Sequence, residues 1–518
     1  MNDCLDGKTN VPELKPVVAP DKETTRVDKA AVARPAQSDP YGAKQLDSKS
    51  AFSKLMAGNM EDTAWSAAAA NEVSSRGKQA YQRTCPFYKI IPNFSICVDA
   101  FRYGAVQDCN AYFLSHFHSD HYVGLTASWR HGPIYCSKVT ANLVRQQLKV
   151  DSIWIVPLEF EKKTDVPGTG DVQVTLIEAN HCPGSAMFLF EKRFGQGPSA
   201  RHQRVLHCGD FRASPAHVQH ALLRPETVDP DTGQRRTQKI DVCYLDTTYL
   251  SPKYSFPSQE DVIEACAELC VRLDQDEGIG LQGRTGDGIR DKGIMSQFVS
   301  AATGSNHVGE GSRQKGRLLV VLGTYSIGKE RVCLGIARAL RCKIYATAAK
   351  QRVCACLEDK ELSSLLTNNP LEAQIHMQTL FEMRSDTLAD YLTSMKPHFS
   401  RVVGFRPTGW TYRPPAGRIL ENPPVSAVLH SAQWQTAFTV KDLVAHRGST
   451  RESACYGVPY SEHSSFRELT MFCCALHIGR IIPTVNVGSP KTRERMKAWI
   501  ERWETQKRRN GLYHYTTG

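Results

Sequence analysis

The sequence predicts an α/β protein in which a sheet-based domain is interrupted by a second α/β region. Short β-rich runs separated by turn residues occupy residues 94–245, which indicates a sheet. Helical and buried-strand patterns then alternate through residues 259–340, and β-type runs return after residue 456. A chain of 518 residues also exceeds one ordinary core, so two units are expected.

The first 84 residues are predicted to be a disordered tail. They are rich in Ala, Ser, Pro and charge, and they contain too few bulky apolar residues to bury a core. The N-terminus lacks the basic and apolar parts of a signal peptide, and no run of eighteen apolar residues occurs. We therefore expect a protein that is neither secreted nor inserted in a membrane.

The sheet-based domain is predicted to begin at Cys85 and to run to residue 250. Its apolar and β-branched runs predict strands at residues 94–98, 111–114, 172–177, 186–190, 205–207 and 242–245.

The second region is predicted to cover residues 251–424, with a helix at 259–273, a buried strand at 317–322 and a helix at 329–340. Between them, the Gly-rich stretch 278–316 is predicted to be a flexible insertion. The first domain then resumes over 425–507, with strands at 456–460 and 481–487 and a helix at 491–507. Residues 508–518 are predicted to be a tail.

Cysteine usage and charge limit the function classes. The 17 cysteines include no CxxC pair, which argues against a disulfide framework or a zinc finger and favours a reducing compartment. The net charge of +11 lies almost entirely after residue 84, and such an excess favours a polyanionic partner. The triplet at 507–509 is either a nuclear import signal or a solvated helix end.

Four potential metal ligands lie within the six residues His116-Phe117-His118-Ser119-Asp120-His121, directly after an apolar run. Side chains two apart on a strand point the same way, so His116 and His118 can face one ion. The turn that follows can direct Asp120 and His121 toward a second. Imidazole and carboxylate together suit zinc or a similar divalent ion.

More candidate ligands follow later strands, where loops can bring side chains to one point. An Asp in such a position is often only a turn or helix cap, but the recurrence in chain order favours a single site. The candidates are Asp99, His181, Asp210, Asp246 and His463.

These motifs resemble a known family. Asp99, the HxHxDH run at 116–121, His181 in NHCPGS and Asp210 in CGDFR are similar, in order, to the motifs of the metallo-β-lactamase superfamily. The motifs YLDTTY, GTYSIGKE, FRPTGW and YSEHSS, which begin at residues 244, 323, 405 and 460, resemble the nucleic-acid-processing β-CASP branch. The strongest similarity is to the DNA interstrand cross-link repair exonucleases, and it spans residues 85–505, including CPFYKIIP at 85–92. It implies a metallo-β-lactamase αββα sandwich with an inserted α/β β-CASP domain.

The resemblance also implies roles for the candidate residues. Asp99 would orient the ligand loop without binding metal, and Asp246 would handle a proton or orient a ligand. One or two divalent ions are implied, with zinc first and magnesium or manganese as alternatives in the second position. The implied ligands are His116, His118 and His181 for the first ion, Asp120, His121 and His463 for the second, and Asp210 between them.

Residues 323–330 match the phosphate-loop spacing G-x4-G-K between a strand and a helix. The last position is Glu330, whereas a nucleotide loop needs Ser or Thr there to hold magnesium, so nucleotide hydrolysis is not expected. Lys329 is interpreted either as a contact to a DNA phosphate or as a surface lysine at a helix start.

By resemblance, the activity is 5′-to-3′ exonuclease digestion of single- and double-stranded DNA from a 5′ phosphate, in cross-link repair in the nucleus. Lactam and thioester hydrolases share the first motifs but have no need of the inserted region. Val487 stands where RNA-processing members place a histidine, which favours DNA. Thr247, Ser464 and Ser465 are candidates for gripping the 5′ phosphate or are ordinary helix caps.

Three other functions stay open from the sequence. One is a structure-specific, hairpin-opening DNA endonuclease, which a strong 5′-phosphate requirement would exclude. Another is an RNA-processing nuclease of the same branch. The last is a non-catalytic scaffold, which the intact set of ligand positions disfavours. The N-terminal tail is a candidate segment for recruiting DNA repair proteins.

Overall fold

The computed structural model describes residues 51–197, 200–228, 233–275, 317–379, 383–418 and 420–515. The predicted flexible insertion 278–316 and the first 50 residues of the predicted tail lie outside this description. The rest of the predicted tail contains helix α1 (Ala51–Ser74), so disorder throughout 1–84 was wrong. Alanine-rich sequence favours helix, and Trp65 anchors α1, with its ring centroid 4.5 Å from that of Phe87 and 5.3 Å from that of Tyr88.

The first sheet has five strands in chain order, parallel except for the antiparallel first pair. Nearly all of their residues are buried, as expected for parallel strands covered on both faces. The strands are β1 (Ile90–Ile91), β2 (Ile96–Val98), β3 (Ala111–Phe113), β4 (Ile134–Ser137) and β5 (Ile155–Leu158), with α2 (Ser119–Tyr122) after β3 and α3 (Lys138–Leu143) after β4.

The second sheet has six strands. Its members are β6 (Thr164–Val166), β7 (Val172–Glu178), β8 (Ala186–Phe194), β9 (Arg201–His207), β12 (Ile240–Leu245) and, from the end of the chain, β19 (Ile478–Pro483). The order β19-β12-β9-β8-β7-β6 combines a parallel half with an antiparallel half. Helix α4 (Pro215–Gln219) and the hairpin of β10 (Glu226–Val228) and β11 (Arg235–Thr237) connect β9 to β12.

The inserted region contains the elements α5 (Gln259–Gln275), β13 (Arg317–Thr324), α6 (Glu330–Leu340), β14 (Lys343–Tyr345), α7 (Ala348–Ala355), α8 (Lys360–Leu365), β15 (Leu366–Thr367), β16 (Ala373–Thr379), α9 (Ser385–Met395), β17 (Phe399–Pro407) and β18 (Ser453–Val458). Its strands form a third sheet, in which six parallel strands have the order β15-β14-β16-β13-β17-β18. Helices α5 and α6 pack on one face and α9 on the other, which is a doubly wound arrangement.

The first two sheets pack face to face. Phe113 of β3 and Phe188 of β8 meet with ring centroids 5.0 Å apart in a buried cluster that draws on both sheets. Helices α10 (Val425–His430), α11 (Phe466–Ala475) and α12 (Pro490–Asn510) cover the outer face of the second sheet, and α3 covers that of the first. The expected αββα sandwich with an inserted α/β domain is therefore confirmed.

The domain boundaries are less simple than the predicted ones. Helix α10 packs on the sandwich just after residue 424, but β18 then returns to the third sheet. The chain therefore crosses between the two units again before α11. Helix α12 continues to Asn510, so the basic triplet 507–509 lies in its last turn. The C-terminal tail, which was predicted to begin at residue 508, therefore begins after this helix.

Across the described segments, no helix combines the length and apolar character that a membrane span needs. Every cysteine in these segments is a free thiol, and all but Cys342 are buried.

Candidate metal centre

The predicted ligands converge at the end of the sandwich where its strands finish. The run 116–121 follows β3, His181 follows β7, Asp210 follows β9 and Asp246 follows β12. His463 lies between β18 and α11, where the inserted domain rejoins the sandwich. Loops after neighbouring strands thus deliver side chains that are distant in sequence to one cleft.

Three histidines form the first group. Nδ1 of His118 lies 2.9 Å from Nε2 of His116 and 3.1 Å from Nε2 of His181. Burial lowers the pKa of His116 and His181 well below the ordinary value, and neighbouring histidines lower it further. Both rings are therefore held neutral, which is the form that binds metal.

Asp210 lies between this group and two further histidines. Its Oδ2 is 3.2 Å from Nε2 of His121, 3.8 Å from Nε2 of His116 and 4.0 Å from Nε2 of His463. Burial alone would raise the pKa of Asp210, but the surrounding histidines, His121 foremost, hold it well below its usual range. The centre is thus a buried, ionised carboxylate surrounded by imidazole rings, and its negative charge favours a cation at this point.

In His121 and His463, the histidines that flank Asp210, the ring nitrogen that points away from the centre is here called the outer nitrogen. In both rings it is bonded to a carboxylate. Asp99 accepts hydrogen bonds from the backbone N and Oγ of Ser115, and its Oδ2 lies 2.7 Å from Nδ1 of His121. Oδ2 of Asp246 lies 2.8 Å from Nδ1 of His463. Burial would lower the pKa of His463, but Asp246 and Asp210 outweigh it and raise the pKa to about 9.

The inserted domain holds the outer nitrogen of one ring in the first group. Nε2 of His118 lies 3.2 Å from the carbonyl oxygen of Ile327, in the loop between β13 and α6. Nδ1 of His181 lies 2.8 Å from the carbonyl oxygen of Glu462, and Nδ1 of His116 lies 3.0 Å from Oγ of Ser115. Each histidine of the centre therefore has one nitrogen occupied by a partner and the other directed inward.

This donor set fits divalent metal. Histidines whose outer nitrogen is bonded to a carboxylate or carbonyl have the orientation and tautomer that metal ligation requires. Nitrogen and carboxylate donors suit zinc, manganese and related ions. In the described residues the ligand atoms form three close groups: His116, His118, His181 and Cys182; His116, His121 and Asp210; and His181, Asp210 and His463.

Asp120 and Cys182 differ from what the sequence motifs predict for the metal ligands. Asp120 is not in these groups: its side chain is 78% exposed at the cleft mouth, with Oδ2 3.6 Å from Nε2 of His121. Its role as a ligand stays a prediction. Cys182 does belong to the first group, although no sequence motif singled it out. Burial raises the pKa of its thiol well above the ordinary value, which opposes the thiolate form that binds metal.

Lys329 is buried, which corrects its interpretation as a surface lysine. Its side chain is 5% exposed, and Nζ donates to Oε2 of Glu462 at 3.1 Å. Its backbone N donates to Oε1 of the same carboxylate at 2.7 Å, and Nζ lies 4.0 Å from the ring centroid of Tyr325. Because this ion pair would have to break before Nζ could reach a DNA phosphate, the contacts favour a structural role for Lys329. Glu462 was missed because its partner lies far away in sequence.

The three hydroxyl residues proposed to grip a phosphate are buried and bonded within the protein. Oγ1 of Thr247 donates to the carbonyl oxygen of Val485 at 2.7 Å, and Oγ of Ser464 donates to that of Phe211 at 3.0 Å. Oγ of Ser465 accepts from the backbone N of Glu468 as the N-cap of α11. Of the two interpretations, structural bonding is the one that the contacts support.

The centre opens into a cleft of about 570 Å³ between the sandwich and the inserted domain. Aromatic side chains line it beside the histidines, namely Tyr249, Tyr325, Trp410 and Tyr460. Val485 also lines the cleft, whereas Val487 packs beside the core between the two sheets. The position that faces the site is therefore 485 rather than 487, and it too is a valine.

Comparison with known proteins agrees with this site. A family model described as DNA repair metallo-β-lactamase matches residues 360–489. The chain is 39% identical to DNA cross-link repair protein pso2/snm1 of Schizosaccharomyces pombe, over 99% of this chain and 76% of that protein. It is 38% identical to DNA cross-link repair protein SNM1 of Arabidopsis thaliana, over 81% and 70% respectively.

More distant matches include 5′ exonuclease Apollo of Gallus gallus, which is 30% identical over 76% of this chain and 63% of that protein. Among solved structures, a class B3 di-zinc metallo-β-lactamase from an Alaskan soil metagenome is 16% identical and covers 20% of this chain and 43% of its own, with a TM-score of 0.15. That overlap is too small to support an argument.

Proposed function

Since the chain belongs to the metallo-β-lactamase/β-CASP family of DNA cross-link repair proteins, we propose that it is a metal-dependent nuclease that digests DNA from a 5′-phosphate end toward the 3′ end. The observation that carries this proposal is the convergence of five histidines and Asp210 in one cleft beside the inserted domain. The cross-link repair and exonuclease names of its relatives support the substrate class.

We assign the metal ligands by combining the sequence motifs with these contacts. Zinc is the proposed ion, with magnesium or manganese as alternatives in the second position. Bound ions would lower the pKa of a water molecule and neutralise charge on the phosphodiester. The proposed ligands are His116, His118 and His181 for one ion and Asp120, His121 and His463 for the other, with Asp210 between them.

The remaining residues act by position and proton handling. Hydrolysis joins a water oxygen to phosphorus and breaks the bond to the 3′ oxygen of the terminal nucleotide, which must gain a proton. Oδ2 of Asp246 lies 2.8 Å from Nδ1 of His463, so this carboxylate is placed to orient the imidazole toward the ion. The proton that the 3′ oxygen gains is balanced by the one that the attacking water loses. Asp99 holds His121 by the same kind of contact.

DNA is the proposed substrate, in single- and double-stranded form. Val485 lies in the wall of the cleft, and its apolar side chain offers no hydrogen-bonding group with which to recognise RNA. Because the relatives are DNA repair proteins, we place the activity in the nucleus. Recruitment of repair proteins would involve the N-terminal tail, of which residues 1–50 lie outside the description.

A digestion time course tests the proposal. The protein is given single- and double-stranded oligonucleotides with a 5′ phosphate or a 5′ hydroxyl, with and without chelator, and the product ladder is read for polarity. We expect chelator-sensitive release of mononucleotides from the 5′-phosphorylated strand, and an Asp120→Ala protein that folds but digests little DNA. Internal cuts without regard to the 5′ group would establish the endonuclease instead, and equal digestion by Asp120→Ala would contradict the metal assignment.

A further inference from the structure

Two exposed aromatic residues lie in the cleft. Trp410 is 62% exposed and Tyr325 is 42% exposed, and both line the space beside the metal centre. Among the large apolar side chains that are exposed in the described segments, these two are the only aromatic ones. A concentration of exposed rings in one cleft indicates a surface that binds flat, apolar faces.

Trp410 is held rigidly although it is exposed. It sits on a single helical turn, Gly409–Thr411, and its backbone N donates to Oγ1 of Thr408. A side chain at Gly409 would collide with Tyr249, since a Cβ there would lie 2.9 Å from the hydroxyl oxygen. The ring of Trp410 packs on Tyr249, at 5.2 Å between centroids, and on Tyr254, at 5.7 Å.

Trp410 is connected to the metal centre through the ring of Tyr249. The ring of Tyr249 that supports it lies 5.9 Å from the ring of His463. On the inserted-domain side of the cleft, the ring of Tyr325 lies 6.2 Å from that of His118 and is in contact with Nζ of Lys329. Tyr325 is therefore next to one histidine of the centre, and Trp410 is linked to another through Tyr249.

The cleft offers little else to hold a nucleotide. Lys329 is the only lysine or arginine among the described residues that line it, and its charge is paired with Glu462. Besides the candidate metal ligands and the hydroxyl groups of the lining serines and threonines, the open ring faces are the groups that the cleft offers to a nucleobase. A nucleobase can stack on such a face only when it is unpaired, because a base inside a duplex already stacks on its neighbours.

We propose that Trp410 and Tyr325 stack the unpaired bases next to the scissile phosphate, so that the cleft takes a single-stranded or frayed DNA end in preference to a closed duplex end. This inference rests on the proposed nuclease function and specifies the form of its substrate. It assigns the FRPTGW motif a role in binding DNA.

The test pairs a protein change with a DNA change. Initial rates give KM and kcat on 5′-phosphorylated single strands whose first two nucleotides are either natural or abasic. The variants are Trp410→Ala and Trp410→Phe. Val444→Ala is the matched control, because Val444 is 66% exposed but does not line the cleft.

We expect Trp410→Ala to raise KM on the natural strand about tenfold, in the range of base-stacking effects, and Trp410→Phe to stay close to wild type. The abasic nucleotides should raise KM for wild type and Val444→Ala but not further for Trp410→Ala. Equal sensitivity of wild type and Trp410→Ala to the abasic change would overturn the stacking role.

A second measurement separates this inference from the proposed function. Fluorescence anisotropy of the labelled oligonucleotides in chelator reports binding without digestion. Tighter binding of the natural strand than the abasic strand, lost in Trp410→Ala, supports stacking even if no DNA is digested. Digestion by wild type together with unchanged KM and binding in Trp410→Ala would refute stacking and leave the nuclease function intact.

Discussion

The buried ion pair of Lys329 and Glu462 joins the inserted domain to the metal centre, and its removal gives a sharp prediction. The two side chains are 5% and 6% exposed, and Nζ lies 3.1 Å from Oε2. Replacing Lys329 by methionine keeps the length of the side chain but removes the charge. The carboxylate of Glu462 would then remain buried without its counter-charge.

The expected loss of stability follows from the cost of an unpaired buried charge. Removing one partner of a buried pair typically costs about 3 to 5 kcal/mol. The backbone N of Lys329 still donates to Oε1 of Glu462 at 2.7 Å, so we expect Lys329→Met to lie near the lower limit, about 3 kcal/mol. The double variant Lys329→Met/Glu462→Gln removes both charges and should recover most of that loss.

Urea unfolding followed by circular dichroism measures these free energies. The control is Lys343→Met, whose pair with Glu372 has the same 3.1 Å distance but side chains that are 54% and 48% exposed, so its loss should leave stability nearly unchanged. The reasoning is refuted if Lys329→Met costs no more than Lys343→Met, or if the double variant is no more stable than Lys329→Met.

Two further predictions concern positions far from the metal centre. Trp65→Ala should release α1 and cost about 3 kcal/mol in urea unfolding, with faster proteolysis near residues 51–84, whereas unchanged protection would show that α1 does not depend on this anchor. Burial lowers the pKa of His376 in the folded protein, so at a pH below the ordinary pKa of histidine the unfolded chain binds more protons at this residue than the folded chain does. His376 therefore makes the free energy of unfolding decrease as the pH drops from 7 to 5. His376→Gln should therefore lose less stability over that interval than wild type, and an equal loss would contradict the assignment.

Local patterns account for what the sequence predicted well. The predicted strand at 172–177 and helix at 259–273 lie within β7 (Val172–Glu178) and α5 (Gln259–Gln275), because alternation and helical periodicity are properties of neighbouring residues. The ligand run 116–121 could be found for the same reason, since its density is visible within six residues.

The errors arose where the environment of a residue depends on distant parts of the chain. Trp65 looks like part of a polar tail until Phe87 and Tyr88 are placed beside it. Lys329 adopts a left-handed backbone conformation, φ 70°, which turns it toward Glu462 rather than outward. The hydroxyl of Ser464 is occupied by a carbonyl 253 residues away in sequence, which no local motif records.

The contacts of the first histidine group give the inserted domain a part in the metal centre itself. His121 and His463 are held by carboxylates, Asp99 and Asp246, that follow strands of the sandwich. His118 is held by the carbonyl of Ile327 in the inserted domain, and His181 by the carbonyl of Glu462 at the junction between the two units.

Lys329 fixes that junction by bonding both carboxylate oxygens of Glu462, so the loop that holds His118 also stabilises the residue that holds His181. A sandwich without the inserted domain would keep the partners of His121 and His463 but lose the carbonyl partner of His118 and the clamp on Glu462. Because a ligand histidine loses orientation when its outer partner is removed, the inserted domain orients part of the centre as well as forming one wall of the cleft.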